Sequence, residues 1–375
     1  MAMRAKTKQP ADVHAGRRDR LRHALRKLEA DGLLVTNFTN VTYLTGFTGD
    51  DSFLLVWSAG ELLISDGRYA LQLEEECPGV ERHLRLPGAP MAEATAQAVR
   101  RIGVKRLAIE ASSMTVELRE ALGQALPGLQ LCNTSGLVES LRRVKDRGEI
   151  EQICQAIHVA QRGYAALRAV LRPEMREKEA ADELEYWMRR FGARGASFPT
   201  IVAGGARAAL PHARAGQQRL EAAPVVLVDW GANGGLYQSD LTRILVTDRI
   251  SPELKKVYGV VLKAQLRAIA AVRPGIEAAK VDRVARRVIE EAGYGPYFAH
   301  GLGHGLGLEV HEEPRLNPSS RAILEAGMVI TIEPGIYLPG RFGVRIEDDV
   351  LVTKDGHAVL SGLPKEFDQV VATLR

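Results

Sequence analysis

A chain of 375 residues with 46% hydrophobic and 26% charged content can bury a substantial core, which excludes global disorder. Its formal charge is only +4, from 50 basic against 46 acidic residues, and no recognition motif accompanies the basic first thirty residues, so nucleic-acid binding is not expected. No uncharged apolar stretch is long enough to span a bilayer, and the start, Met1-Ala-Met-Arg, is not followed by an apolar run of the secretory type.

Residues 1–16 read as a loose tail. Leu21, Leu25 and Leu28 then recur at three and four, which predicts an amphipathic helix from Arg17 to Ala30, stopped by Gly32. Short strands are expected at Leu33–Val35, Phe53–Trp57, Glu61–Ser65, Val104–Ile109 and Leu129–Leu131, and helices at Arg68–Cys77, Met91–Arg100 and Met114–Leu126. This alternation describes a small α/β domain over 17–134, followed by a charged linker over 135–148.

The remainder, 149–375, predicts an α+β domain. Helices are expected at Ile150–Val170, Glu179–Phe191 and Pro252–Val272, the last capped by Ser251 with Pro252 in its first turn. Val281, Val284, Val288 and Ile289 mark a fourth helix. Strands are expected at Val225–Val228, Leu236–Val246, Met328–Ile332 and Val344–Val352. Two helix pairs, each followed by strands, suggest an internal duplication. Cys77, Cys132 and Cys154 form no C-x-x-C pair, so neither a disulfide framework nor a thiolate metal site is expected, and a reducing cytoplasm fits them.

The chemistry concentrates in the second domain. His300-Gly-Leu-Gly-His304-Gly-Leu-Gly-Leu-Glu-Val-His311 places three histidines within twelve residues, among glycines that exclude a stable helix and let backbone approach a ligand. Such a run could also be a plain surface loop. Asp229 ends the apolar strand Val225–Val228, and Glu333 follows Val329-Ile-Thr-Ile. For Asp229 alone, a hydrogen-bonded structural carboxylate is the simpler reading. Together with Asp240, Glu347 and the histidines, however, these carboxylates would repel one another unless positive charge sits among them. Two divalent metals, about 3.5–4 Å apart in two-metal hydrolases, would supply it. An oxygen-rich set with one imidazole favours Mn, with Co, Zn or Fe as alternatives.

Pro211-His212, Val228-Asp-Trp-Gly231 with Ser239-Asp-Leu-Thr-Arg243, the His300–Gly307 run, Val310-His-Glu-Glu-Pro314, Thr331-Ile-Glu-Pro-Gly335 and Val344-Arg-Ile-Glu-Asp348 resemble the pita-bread metallopeptidases. Within these they resemble the proline-specific branch, the Xaa-Pro dipeptidases (prolidases) and Xaa-Pro aminopeptidases (aminopeptidase P). Asn40–Gly49 and Asp66–Tyr69 resemble the creatinase-type N-terminal domain.

The resemblance implies a pita-bread catalytic domain and a dimetal centre of Asp229, Asp240, His304, Glu333 and Glu347, with Asp240 and Glu347 bridging. It implies that His212 and His311 stabilise the tetrahedral intermediate and contact substrate, and that His300 lines the pocket for the proline side. Glu333 would carry a proton to the leaving nitrogen, and Arg345 would orient the neighbouring carboxylate or hold a product. It further implies hydrolysis of proline-containing dipeptides, or release of the first residue from longer peptides. A homodimer would close the N-terminal domain over its partner's site, where Asp50-Asp51 could bind a substrate amine. A creatinase-like loss of metal, a methionine aminopeptidase and a metal-free binding protein on the same fold fit these motifs less well. Promiscuous hydrolysis of organophosphates, known in related prolidases, is not readable from the chain.

Overall fold

The structure, a computed structural model, describes residues 13–220, 223–247 and 250–371. It divides into a unit through Arg142 and a second from Arg143 onward. Among the described residues no helix is long and apolar enough to cross a membrane.

The first unit contains α1 (Val13–Leu25), β1 (Gly32–Val35), α2 (Phe38–Thr45), β2 (Phe53–Trp57), β3 (Gly60–Asp66), α3 (Ala70–Glu76), β4 (Glu81–Arg85), α4 (Met91–Ile102), β5 (Arg106–Glu110), α5 (Val116–Ala125), β6 (Gln130–Thr134) and α6 (Leu137–Arg142). Its strands make one mixed sheet in the order β4-β3-β2-β1-β5-β6. β1, β2 and β3 pair antiparallel, while the β3–β4, β1–β5 and β5–β6 pairs are parallel. Ala94, Ala98 and Val99 of α4 and Leu122 of α5 cover Leu34, Leu55, Leu62 and Ile109 of the sheet. Small alanines let that helix lie close to large strand residues.

Three expectations change here. α1 begins at Val13, so 13–16 are helical rather than tail, and residues 1–12 lie outside the described residues. The strand Glu81–Arg85 was not foreseen, because it is an edge strand with mostly polar side chains and lacks an apolar signal. The expected linker at 135–148 contains α6, in which Arg142 is buried and donates from Nη1 to Asn40 Oδ1 at 2.8 Å. Charge read as a linker here includes an interior arginine held by a side chain of α2. Asp50 and Asp51 are likewise engaged within this unit, by the Tyr69 hydroxyl and by Arg68 Nη2 at 2.8 Å.

The second unit begins with α7 (Arg147–Val170), whose start carries a reciprocal cap between Asp146 and Glu149. It continues with α8 (Glu177–Arg190), β7 (Gly195–Ala196), β8 (Ile201–Gly204), β9 (Val225–Trp230), β10 (Ala232–Asn233) and β11 (Leu241–Val246). Then come α9 (Pro252–Ala271), α10 (Ala278–Glu291), β12 (Gly303–Gly305), β13 (Glu312–Leu316), β14 (Val329–Ile332), β15 (Gly335–Leu338), β16 (Phe342–Arg345), β17 (Asp348–Val352) and β18 (His357–Val359). Ser251 accepts from Leu254 N and caps α9, with Pro252 in its first turn, as the sequence predicts.

One sheet has the order β11-β9-β8 and another β13-β12-β14-β17-β18, and all their pairings are antiparallel. The pair α7/α8 buries Ala160, Tyr164, Leu184 and Met188 against Val226, Val228 and Trp230 of β9. The pair α9/α10 buries Val257, Val261, Val281 and Ile289 against Leu227 on the opposite face of that strand and against Ile330 of β14. β9 is therefore apolar on both faces, which is why it reads as a continuous run rather than an alternation. Tyr164 stacks on Trp230 with centroids 4.4 Å apart, and the indole Nε1 donates to Ala160 O at 3.0 Å.

Two expected strands are shorter than the β-propensity suggests. Leu236–Val246 is strand only from Leu241, and Val344–Val352 divides between β16 and β17 at Ile346-Glu347. Both interruptions carry a carboxylate toward the same place.

Candidate active site

The nine residues assigned above to metal binding, catalysis and the proline side all line one cavity of about 830 Å³ in the second unit. Asp229 projects from β9, Asp240 stands one residue before β11, and His304 is the middle residue of β12. Glu333 follows β14, and Glu347 occupies the break between β16 and β17. Glu347 N donates to Thr242 O at 3.2 Å, which brings β17 against β11, and Glu333 N donates to Leu302 O at 2.8 Å. Strand ends from two sheets thus converge on one point.

The glycines of the His300 run have a steric reason. A Cβ at Gly303 would lie 2.0 Å from Thr331 O, and one at Gly305 would lie 2.3 Å from Glu313 O. β12 can occupy the slot between β13 and β14 only without side chains there. α10 fixes the approach to this strand. Arg286 pairs with Asp282 one turn away and donates to Phe298 O at 3.0 Å and His300 O at 2.8 Å, while Asp282 Oδ1 accepts from Leu302 N.

Asp229, Asp240, His304 and Glu347 are buried, and Glu333 is nearly so. His304 Nε2 lies 3.3 Å from Glu333 Oε1 and 3.6 Å from Asp240 Oδ2. His304 Nδ1 faces Gly305 O at 3.0 Å, and since a carbonyl only accepts, Nδ1 carries the hydrogen and Nε2 is the atom directed at the carboxylates. One ligand atom each from Asp240, His304 and Glu347 lie within 4.8 Å of one another. Asp229 Oδ1 and Glu347 Oε1 are buried without a hydrogen-bond partner.

Burial, then repulsion from Glu347, Asp229 and Glu333, pushes the Asp240 pKa well above the usual carboxylate range. Burial, then Glu333 and Asp229, does the same to Glu347. Burial also raises Asp229, against the pull of Arg345. Glu333 is opposite in sign: burial acts upward, but the His304 imidazole beside it brings it down to about 2. Orphaned oxygens and mutually repelling carboxylates around one imidazole form a site short of positive charge, and a hard divalent cation matches that donor set.

Arg345 organises the surroundings. Its Nη2 donates to Asp229 Oδ2, its Nε to Thr242 Oγ1 at 3.1 Å, and its Nη1 to Pro211 O at 3.3 Å and to the Tyr337 hydroxyl at 2.7 Å. Thr242 Oγ1 passes its hydrogen to Glu347 Oε2 at 2.7 Å. Tyr337 in turn meets His300 Nε2 at 2.9 Å, while His300 Nδ1 faces Gly301 O at 2.7 Å. Nδ1 must therefore donate, and Nε2 accepts from the tyrosine. Burial holds the His300 pKa below its ordinary value, consistent with this neutral ring, and burial raises Tyr337 to about 12.

His311 stands edge-on to His304 with centroids 4.4 Å apart, its side chain open to the cavity. The cleft walls, then the neighbouring His304, lower its pKa to about 4, so it is neutral at pH 7. His212 is exposed on the cavity wall.

Sequence reasoning missed Tyr337, Thr242, Arg286 and Arg315. Arg315 is directly opposite His304 in the β12–β13 register and also lines the cavity. Paired residues across antiparallel strands project to the same face, so this guanidinium accompanies the imidazole. The alternation of β13, with Glu312, Pro314 and Leu316 buried and Glu313 and Arg315 exposed, was the available signal.

Residues 17–144 match the creatinase/prolidase N-terminal domain, and residues 151–354 match metallopeptidase family M24. The chain is 36% identical over 343 residues to a Xaa-Pro dipeptidase of Pyrococcus horikoshii, covering 91% of this chain and 95% of that protein. Its fold is similar to the solved structure of a Xaa-Pro dipeptidase from Bacillus anthracis, with TM-score 0.91 and 38% identity over 94% of this chain and 99% of the other. It is also similar to an X-Pro aminopeptidase from Thermotoga maritima, with TM-score 0.84 and 37% identity over 92% and 99%. A match across more than half the chain, with a carboxylate–imidazole centre inside it, means that the chain belongs to metallopeptidase family M24, a family of divalent-metal-dependent peptidases.

Proposed function

We propose that this chain hydrolyses the Xaa-Pro bond of dipeptides. The observation that carries the choice of a dipeptide is Arg315, a cation on the same sheet face as His304 and on the wall of the same cavity. A dipeptide places its C-terminal carboxylate one residue beyond the scissile bond, and a guanidinium beside the centre suits it.

Asp229, Asp240, His304, Glu333 and Glu347 would hold two divalent cations, which supply carbonyl polarisation and an activated water when bound. Manganese suits a set of four carboxylates and one imidazole. Glu333, which follows β14 into the centre, accepts the proton of the attacking water and delivers it to the departing proline nitrogen. His311, neutral at pH 7, keeps an N–H to donate to the developing oxyanion, and His212, which lines the same cavity, would be a second donor. His300, held by Tyr337, borders the space for the proline ring. Arg345 holds one oxygen of Asp229 and favours its charged form, leaving the second oxygen for a cation.

Similarity to the X-Pro aminopeptidase from Thermotoga maritima supports the second reading, release of the first residue from a longer Xaa-Pro peptide. Comparing a Xaa-Pro dipeptide with a Xaa-Pro-Yaa tripeptide under Mn²⁺ separates the two. Preference for the tripeptide would overturn the dipeptidase reading. Asp240→Ala should remove both metal and turnover, whereas His311→Ala should keep metal and lose rate. The three cysteines form no disulfide, which fits a reducing cytoplasm, and the homodimer implied by the family resemblance is part of the same reading.

A further inference from the structure

The first residue of α8, Glu177, is a carboxylate with 0% exposure, although it belongs to none of the motifs that surround the cavity. A carboxylate so buried is tolerated only when its oxygens are fully engaged. Oε1 accepts from Gly204 N at 2.8 Å and from Arg207 Nε at 3.1 Å, and Oε2 accepts from Arg207 Nε at 2.9 Å and from Gly216 N at 2.8 Å. Its place at a helix N-terminus favours the negative charge further.

These partners bracket one loop. Gly204 ends β8, Gly216 lies twelve residues later, and Pro211-His212 stands between them. Lys178 N donates to Gly216 O at 3.0 Å and Glu177 N to Gln218 O at 2.9 Å, which closes the base of the loop on α8. Arg207, fixed by Glu177, also donates from Nη2 to Arg214 O across the loop. At the tip, Arg345 donates to Pro211 O. The segment is thus held at its base by Glu177 and at its tip by the arginine of the metal site, with His212 and Lys178 both on the cavity wall.

We infer that Glu177 is a positioning residue, a latch that sets where His212 stands. Its influence on the reaction rests on the peptidase reading above, while the latch itself rests on the geometry of the loop. Removing the carboxylate deprives two backbone amides and a guanidinium of their acceptor at once, so the base of the loop opens and His212 leaves its place.

The test is a double-mutant cycle on the metal-loaded full chain. Glu177→Gln keeps one acceptor oxygen but loses the charge and turns an amide NH2 toward the remaining donors; it should lower kcat on the Xaa-Pro dipeptide by about tenfold to a hundredfold, the scale of a displaced catalytic group, with metal content unchanged. In a His212→Ala background the same change should cost less than about twofold. Gly216→Ala provides a second route that leaves the charge in place, because its Cβ would lie 3.1 Å from Glu177 Oε2 and 3.3 Å from Arg207 Nη2. It should act in the same direction and also vanish in the His212→Ala background. Hydrogen exchange at residues 205–216 should rise at least about tenfold in either variant while β9 stays protected. Losses that multiply across the two backgrounds would overturn the assignment, as would unchanged protection of 205–216. If the wild-type chain leaves Xaa-Pro peptides intact, the substrate reading fails, and the exchange measurement still decides the latch.

Discussion

Arg345 Nη2 donates to Asp229 Oδ2, and the other oxygen of that carboxylate is buried without a partner. That guanidinium pulls the pKa of the aspartate down against its burial and leaves one carboxylate oxygen without a hydrogen-bond partner. The same side chain reaches Thr242, Pro211 and Tyr337. Arg345→Lys retains the charge but cannot span those directions from one point. The substitution should weaken metal affinity about 10- to 100-fold and lower kcat/KM by at least as much. Metal titration followed by kinetics checks this, and wild-type affinity in the lysine variant would contradict it.

Asp240 and Glu347 have raised pKa values because burial and neighbouring carboxylates disfavour their charge. Between the ordinary carboxylate pKa and the raised one, the metal-free native state holds protons that the unfolded chain has released. Stability of the metal-free protein from these two groups is therefore retained at low pH and lost as pH rises through that window. Metal binding needs the ionised forms and relieves the repulsion. The Tm gain on adding Mn²⁺ to chelator-treated protein should grow from about pH 4 toward neutrality. A gain independent of pH would argue against a metal held by these carboxylates.

The same electrostatics predicts a trade between stability and function. Glu347→Gln removes one buried charge and keeps nearly the same shape. The metal-free variant should melt several degrees above metal-free wild type, yet bind no metal pair and turn over no substrate. Calorimetry with elemental analysis measures both, and a lower Tm would show that Glu347 is stabilising without metal.

Arg315→Met tests the carboxylate anchor. It keeps much of the side-chain bulk, removes the cation, and should raise KM for the dipeptide about 50-fold or more, near the 2–3 kcal/mol of a charge-assisted hydrogen bond. Tripeptide cleavage should change far less, since its C-terminus lies elsewhere. Equal losses on both substrates would mean that Arg315 acts on the centre rather than on the carboxylate.

Gly303→Ala addresses the strand that carries His304. Its Cβ would lie 2.0 Å from Thr331 O, a backbone atom that cannot swing away. Destabilisation of about 1–3 kcal/mol or more is expected, with metal affinity falling because the imidazole moves with its strand. A well-folded variant with unchanged affinity would show that β12 has room the structure does not indicate.

Carboxylates after apolar runs were legible in the sequence because burial of charge is costly. Asp229 after Val225–Val228 and Glu333 after Val329–Ile332 are anomalies that ask for a cation, and glycines alternating with histidines ask for close backbone approach. The apolar periodicity of α7 and α9 and the cap at Ser251 were equally local and equally readable. Arg142 shows the limit of that reading, since a charge run looks the same whether water or Asn40 receives it.

What only the tertiary structure decided is register and convergence. Tyr337 bears on His300, and Arg315 shares a face with His304, through pairings between strands that propensity does not specify. Glu177 governs a loop 27 to 39 residues further along the chain. The sequence determined which groups would be costly to bury. Folding determined which of them meet, because a hydrogen bond depends on ångströms of approach between segments, while the pattern along a chain reports only whether each segment faces water or the core.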